Sequence, residues 1–197
     1  MIYSSILQKV IAEVDRIFEK EISERFVYHN KAHTQSVVDH SDYFAQHLDL
    51  SGADRELLAI AAWFHDVGYS KGYENHEDSG EKMARVFLTT LNISKREMDL
   101  IAGCIQATKV GTEPTTIMEQ IIKDSDLANL GQDSFLGHSK RLREEWFDLL
   151  GEYHTDKEWN ELNQNFLSQH IYYSSIANEE LTAKKLANLE LLRQEIN

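Results

Sequence analysis

Leu57-Leu58-Ala59-Ile60-Ala61-Ala62-Trp63-Phe64-His65-Asp66-Val67-Gly68-Tyr69 is the stretch from which the rest of the chain is best read. A nearly all-apolar run ends in an adjacent imidazole and carboxylate. Apolar surroundings penalise an unpaired ionised carboxylate by at least several kcal/mol, on the order of what a whole domain can spare. Asp66 therefore calls for a compensating cation, and a bound divalent metal is the simplest one. Adjacent helical residues point about 100° apart, so both side chains can reach one ion only near a helix end or with the ion off the helix axis. Gly68 reads as that end, at the C′ position.

Outward from this run the apolar spacing is helical and no persistent period-2 alternation occurs. The pattern predicts helices over 2–20, 31–48, 54–67, 77–91, 95–109, 114–123, 139–150, 157–173 and 178–195. In the first, Ile2, Ile6, Val10, Val14, Ile17 and Phe18 share a face; in the last, Leu181, Leu189, Leu192 and Ile196 do. Ser94-Lys95-Arg96-Glu97 and Thr155-Asp156-Lys157-Glu158 match the capping box. Pro114 suits a first helical turn, Asn75 a cap before His76, and Gly151 a C′ position. No linker, repeat or low-complexity tract divides the sequence. The expectation is an all-α, single-domain helical bundle over 1–197.

Composition narrows the function. The 197 residues suffice for a sizeable core, and 42% are apolar. A net charge of −13 argues against a nucleic acid polymer as partner. It leaves room for a small phosphorylated ligand, because a metal inverts the local field. No apolar run reaches the roughly 18–20 residues that span a membrane. The segment Met1–Lys20 reads as an amphipathic helix rather than a leader. The lone Cys104 lies in an apolar segment and reads as a core residue in a reducing, cytoplasmic setting. A homo-oligomer stays open.

Candidate ligands are far apart: His33 precedes His65 by 32 positions, and Asp126 follows Asp66 by 60. His33, His65, Asp66 and Asp126 offer two nitrogens and two oxygens, which suits Mn, Fe, Co, Ni, Zn or Mg without choosing among them. Asp124 and Asp126, two apart, face different sides of a helix, so one points inward and the other reads as solvated. With nine histidines and 33 acids in the chain, a buried helical histidine is more often a hydrogen-bonded core residue than a ligand. His40 and His47 read as surface residues. His138, His154 and His170 have no context to interpret. Trp63, Phe64, Phe87, Trp146, Trp159 and Phe166 read as core before they read as a base-stacking pocket.

Three segments carry a resemblance: Tyr28-His29-Asn30-Lys31-Ala32-His33-Thr34, then Trp63-Phe64-His65-Asp66-Val67-Gly68-Tyr69, then Asp124-Ser125-Asp126-Leu127. Together they resemble the dispersed His…His-Asp…Asp signature of the HD-domain metal-dependent phosphohydrolase superfamily. The likeness is greatest to a small bacterial branch, which Asn75-His76-Glu77-Asp78-Ser79, Arg141–Trp146, Phe166-Leu167 and Ile171-Tyr172 also echo. It spans about residues 25–195, with a motif core over 25–131 and C-terminal helices over 139–195. The resemblance implies an all-α fold of the HD-domain type and one divalent ion held by His33, His65, Asp66 and Asp126. It further implies hydrolysis of a phosphoester or phosphoanhydride of a small nucleotide-like substrate by a metal-activated water. Many two-metal members have a further histidine that Ala107-Thr108-Lys109-Val110-Gly111 does not offer. His76 is the residue left to hold part of a second ion.

Charge suggests roles for the remainder. Asp66 can accept a proton from the attacking water as well as bind the ion. His76 and Glu77 can assist as acid or base, or can simply be helix-start residues. Lys109, Lys123, Arg141 and Arg143 are cations for phosphate, Lys123 foremost because it precedes the Asp124–Asp126 segment. As solvated helix charges they would need no ligand. His29 reads as lying beside the substrate. Against the enzyme stands a non-catalytic helical module that keeps an ion or senses a nucleotide without turnover.

Overall fold

The computed structural model describes residues 4–194, and every element among them is helical. In chain order these are α1 (Ser5–Lys20), α2 (Lys31–His47), α3 (Gly52–Phe64), α4 (His76–Thr89), α5 (Lys95–Ala107), α6 (Ile117–Asp126), α7 (Phe135–Leu150), α8 (Asp156–Gln169) and α9 (Ser175–Gln194). Short 3₁₀ turns follow α3 (Val67–Lys71) and α6 (Ala128–Gly131). The sequence-based helices match in number and order. Ile2 and Ile196, assigned above to packing faces, lie outside the described residues.

The opening stretch is the axis of the molecule. Every residue from Leu57 to Phe64 is buried, as expected of a helix that is apolar all round. Helices α1, α2, α5 and α6 surround it. Each large side chain there, such as Trp63 or Phe64, contributes about 1.5–3 kcal/mol by leaving water. A second cluster, Leu130, Phe135, Leu167, Leu189 and Leu192, joins α7, α8 and α9 to the 3₁₀ turn after α6.

Several local readings need correction. Gly68 is not a C′ residue: α3 ends at Phe64, and Gly68 is buried inside the following 3₁₀ turn. Its missing side chain serves close packing instead. A Cβ there would lie 1.8 Å from the carbonyl oxygen of His76 and 2.7 Å from the amide of Gly80. Asn75 precedes α4 in a left-handed conformation (φ 54°) and makes no side-chain cap. Pro114 lies before α6, whose start is set by the Thr116–Glu119 capping box. The capping boxes at Ser94 and Thr155 are present, and Gly151 (φ 69°) ends α7. Phe166 is 39% exposed rather than core, whereas Trp63, Phe64 and Trp159 are buried. Cys104 is buried, and burial pushes its thiol up to about 12, the behaviour of a core residue.

The close approach at Gly68 sets the distance between the 3₁₀ turn Val67–Lys71 and α4. Gly68→Ala forces the two backbones apart and is expected to destabilise the fold by about 2–3 kcal/mol. Urea unfolding of the two proteins measures the difference, and equal midpoints would show that the contact is dispensable.

Candidate metal centre

The backbone change after α3 brings both halves of the His-Asp pair to one point. His65 is still helical (φ −56°, ψ −38°), while Asp66 opens to φ −104°, ψ −2° at the start of the 3₁₀ turn. From α2, His33 reaches the same place, and from the end of α6 so does Asp126. Nε2 of His33 and Nε2 of His65 are 3.4 Å apart. Oδ2 of Asp66 lies 3.1 Å from the His65 nitrogen and 3.4 Å from that of His33. Oδ1 of Asp126 lies 3.0 Å and 3.6 Å from the His33 and His65 nitrogens.

These four atoms fit a cation better than they fit one another. Ligand atoms about 2.0–2.2 Å from one ion are roughly 3.0–3.5 Å apart, close to the distances found. Nδ1 of His65 is 2.7 Å from the carbonyl of Ala62. It donates there, and in the neutral ring that leaves a lone pair on Nε2 facing Asp66 and Asp126. Oδ2 of Asp66 is buried and accepts no hydrogen bond, an arrangement costing about 1–3 kcal/mol or more if nothing balances it. His33, His65 and Asp66 form a group with the spacing of metal ligands.

Charge around the point is consistent with this. Burial opposes ionisation of Asp66 and Asp126, yet the facing histidines outweigh it and hold both carboxyls well below the usual range. Burial likewise opposes a charge on His65, but Asp66 and Asp126 raise its proton affinity well above the ordinary value. The carboxylates draw a positive charge to this spot.

Around the four atoms stand other residues singled out from the sequence. Nε2 of His76 is 3.7 Å from Oδ1 of Asp66 and 3.5 Å from Oε1 of Glu77. Its ring stacks on Tyr69, centroids 3.9 Å apart, and burial lowers its proton affinity. His29 lies beside this group, with its ring 5.8 Å from that of His33 and 6.4 Å from that of His76.

The cations fall elsewhere. Nζ of Lys123 is buried and donates to the carbonyls of Ala107 and Lys109 at 2.8 and 2.9 Å, tying off the end of α5. Arg143 pairs with Asp156 at 2.7 Å and donates to the carbonyl of His154, holding the α7–α8 connection. Lys109 lies 3.6 Å from Asp78 at the start of α4. Asp124 is not solvated: it is fully buried and accepts the amides of Tyr173 and Ser174 and the hydroxyl of Ser174, anchoring α9. His40 is half-buried against Gln132 rather than on the surface.

Sequence reading missed Glu145. This carboxylate on α7 is wholly buried. Oε2 accepts the amides of Tyr28 and His29 at 2.8 and 3.0 Å, and Oε1 lies 2.5 Å from Nδ1 of His29. In the sequence it lies within the Arg141–Trp146 segment that carries the resemblance, but helical spacing does not distinguish it from its neighbour Glu144.

A proton on Nε2 of His65 competes with a metal for one lone pair. Its affinity for the proton is raised above the ordinary 6.5. The sign follows: metal affinity is highest in mild alkali and falls as pH drops through neutrality, by up to about tenfold per pH unit for each proton displaced. Equilibrium dialysis with Mn or Zn measures this, and an affinity flat across the neutral range would remove His65 from the binding site.

Comparison with known proteins bears on the family and the fold. The HD domain model matches residues 31–129, half of the chain, a span containing His33, His65, Asp66 and Asp126. Three solved structures share the fold at 14% identity each. A predicted HD superfamily hydrolase from an uncultured Thermotogales bacterium has a TM-score of 0.65, over 96% of this chain and 91% of its own. A protein from Lactobacillus plantarum has a TM-score of 0.72, over 98% and 96%. Bacillus subtilis YpgQ, solved in complex with ADP, has a TM-score of 0.62, over 96% and 97%. The comparison with curated proteins finds no match. The chain belongs to the HD domain family.

Proposed function

We propose that this protein is a metal-dependent phosphohydrolase acting on a small nucleotide-like substrate. One observation carries the reading: Nε2 of His33, Nε2 of His65, Oδ2 of Asp66 and Oδ1 of Asp126 face a common point, with a buried carboxylate oxygen there lacking any donor. In this reading those four residues hold one divalent ion. When bound, such an ion supplies a Lewis acid that lowers the pKa of water and polarises a phosphoryl oxygen. The rest falls to the chain's own side chains.

Asp66 would offer Oδ2 to the ion, and its Oδ1 lies 3.7 Å from Nε2 of His76. In this reading that oxygen would take a proton from the attacking water. His76, stacked on Tyr69, can receive it, with Glu77 at 3.5 Å to balance the charge that forms. The surrounding burial excludes bulk water from the reacting groups. That the YpgQ neighbour was solved in complex with ADP favours a nucleotide over other phosphoesters as the substrate here. Of the cations expected to meet phosphate, Lys109 is the one with its ammonium near the α4 start rather than spent on carbonyls.

We read the chain as one domain, because Tyr172, Ala177 and Leu181 from the C-terminal segment pack into the main core. We read its setting as cytoplasmic. Its one cysteine is buried and unpaired, and no helix among the described residues is long and apolar enough to cross a membrane.

The test is phosphate release from a panel of nucleoside mono-, di- and triphosphates with Mn, Co, Ni, Mg or Zn. Turnover with at least one pair is expected, abolished by chelation. His65→Ala and Asp66→Ala should each remove it, and Asp66→Ala should weaken metal binding by more than about tenfold. Metal bound at full occupancy with no turnover on any phosphoester would favour a binding module instead.

A further inference from the structure

Not all of the apolar surface is packed away. Helices α1 and α4 both lie against α3. Between them runs a cleft of about 410 Å³, within the range of about 300–1,000 Å³ usual for small-molecule sites. Its floor is formed by Phe64 and Ile17, both deeply buried. On the α4 side stand Met83, Val86 and Phe87. The Phe87 ring centroid lies 5.9 Å from that of Phe64, and Val86 is 73% exposed. Apolar walls left open to water favour the binding of an apolar group.

The charges at the rim become unequal once their own pairings are counted. Glu13 and Glu21 line the α1 side. Arg16 lies 2.7 Å from Glu13 and 2.9 Å from Glu21, and Lys71 lies 2.9 Å from Glu21. Both carboxylates are thus matched within the protein. Lys82, on the α4 rim, makes no ion pair or hydrogen bond to any of the described residues. The cleft therefore combines an apolar floor with one unmatched positive charge at its edge, and both acids that line it are answered.

We propose that the cleft between α1 and α4 binds a small carboxylate carrying an apolar chain, with the chain lying on Phe64, Ile17 and Met83 and the head group meeting the ammonium of Lys82. None of the four metal-facing residues lines this cleft. Phe64 and His65 are adjacent, and helical geometry sends their side chains about 100° apart, one to the cleft and the other to the metal centre. The site is therefore separate from that centre and does not depend on the phosphohydrolase reading. Charge selects the occupant. A purely apolar molecule would leave Lys82 unanswered, and a cationic one would be repelled by it. A carboxylate answers the ammonium with an ion pair, while the lysine stem extends the apolar surface beneath the chain.

The probes are decanoate and decyltrimethylammonium, titrated calorimetrically below their micelle concentrations into the full chain as wild type, Lys82→Glu and Val86→Asp. Both positions are exposed, so both variants should keep the wild-type Tm without ligand. Wild type should bind one decanoate per chain, more tightly than the ammonium. A solvent-exposed ion pair is worth up to about a fivefold factor. Lys82→Glu exchanges that attraction for a repulsion, so it should weaken decanoate by about tenfold and reverse the preference between the two probes. Val86→Asp wets the apolar wall and should weaken decanoate by at least about fivefold. Binding that neither substitution changes would mean an adventitious additive only and would overturn the proposal. So would no binding, or equal affinity for the two probes in wild type, a comparison that decides alone if a variant fails to fold. Dimerisation of the wild type, seen by sedimentation and abolished by Val86→Asp, would also overturn it, because a second copy would then be the occupant. Nucleotide turnover plays no part in these readouts, so the phosphohydrolase reading and this inference can fail separately.

Discussion

The structure depends on one electrostatic demand: two carboxylates and two imidazole nitrogens are pressed together in an apolar interior and need a positive charge between them. In water such a cluster would disperse. Here His65 and Asp66 terminate the most deeply buried helix, and the core holds them in place. The carboxylates raise the proton affinity of His65 and the histidines depress that of the carboxylates, so a cation is favoured at this point. A divalent ion satisfies the demand with more charge than a proton and with ligand atoms already at suitable separations.

Geometry follows from that demand. An unbroken α-helix would send His65 and Asp66 to different sides, and the change to a 3₁₀ turn at Asp66 sends them to the same one. Gly68 and Gly80 then let α4 approach closely, which delivers His76 and Glu77 to the free oxygen of Asp66. Packing, backbone turn and site chemistry are thus three consequences of the same few residues. The C-terminal helices contribute differently. Asp124 pins the start of α9, and Glu145 pins the segment leading into α2. Two buried acids hold distant chain segments around the centre.

Much of this was legible in the sequence because it rests on periodicity and on residue types with few alternative roles. The helix count, the buried α3 and the His65-Asp66 pair fall in that class. So does the choice between Asp124 and Asp126 as a question, since helical geometry permits only one to face inward. What the sequence could not supply was the partner of each polar group. Asp124, Lys123 and Arg143 read as solvated or ligand-facing charges, and each instead satisfies main-chain amides or carbonyls in another segment, 11 to 49 positions away. Gly68 and Pro114 read as helix punctuation. In the structure one is a contact point between backbones and the other precedes a capping box that sets the boundary. Glu145 escaped notice because its partners, Tyr28 and His29, lie more than 100 positions away. Long-range pairing leaves no local trace in a single sequence.

The most direct measurement is an anomalous diffraction map of crystals grown with Mn(II). It should show one strong peak, with Nε2 of His33, Nε2 of His65 and carboxylate oxygens of Asp66 and Asp126 all within about 2.0–2.3 Å of it. A peak bound by other residues, or none at all at saturating metal, would contradict the account.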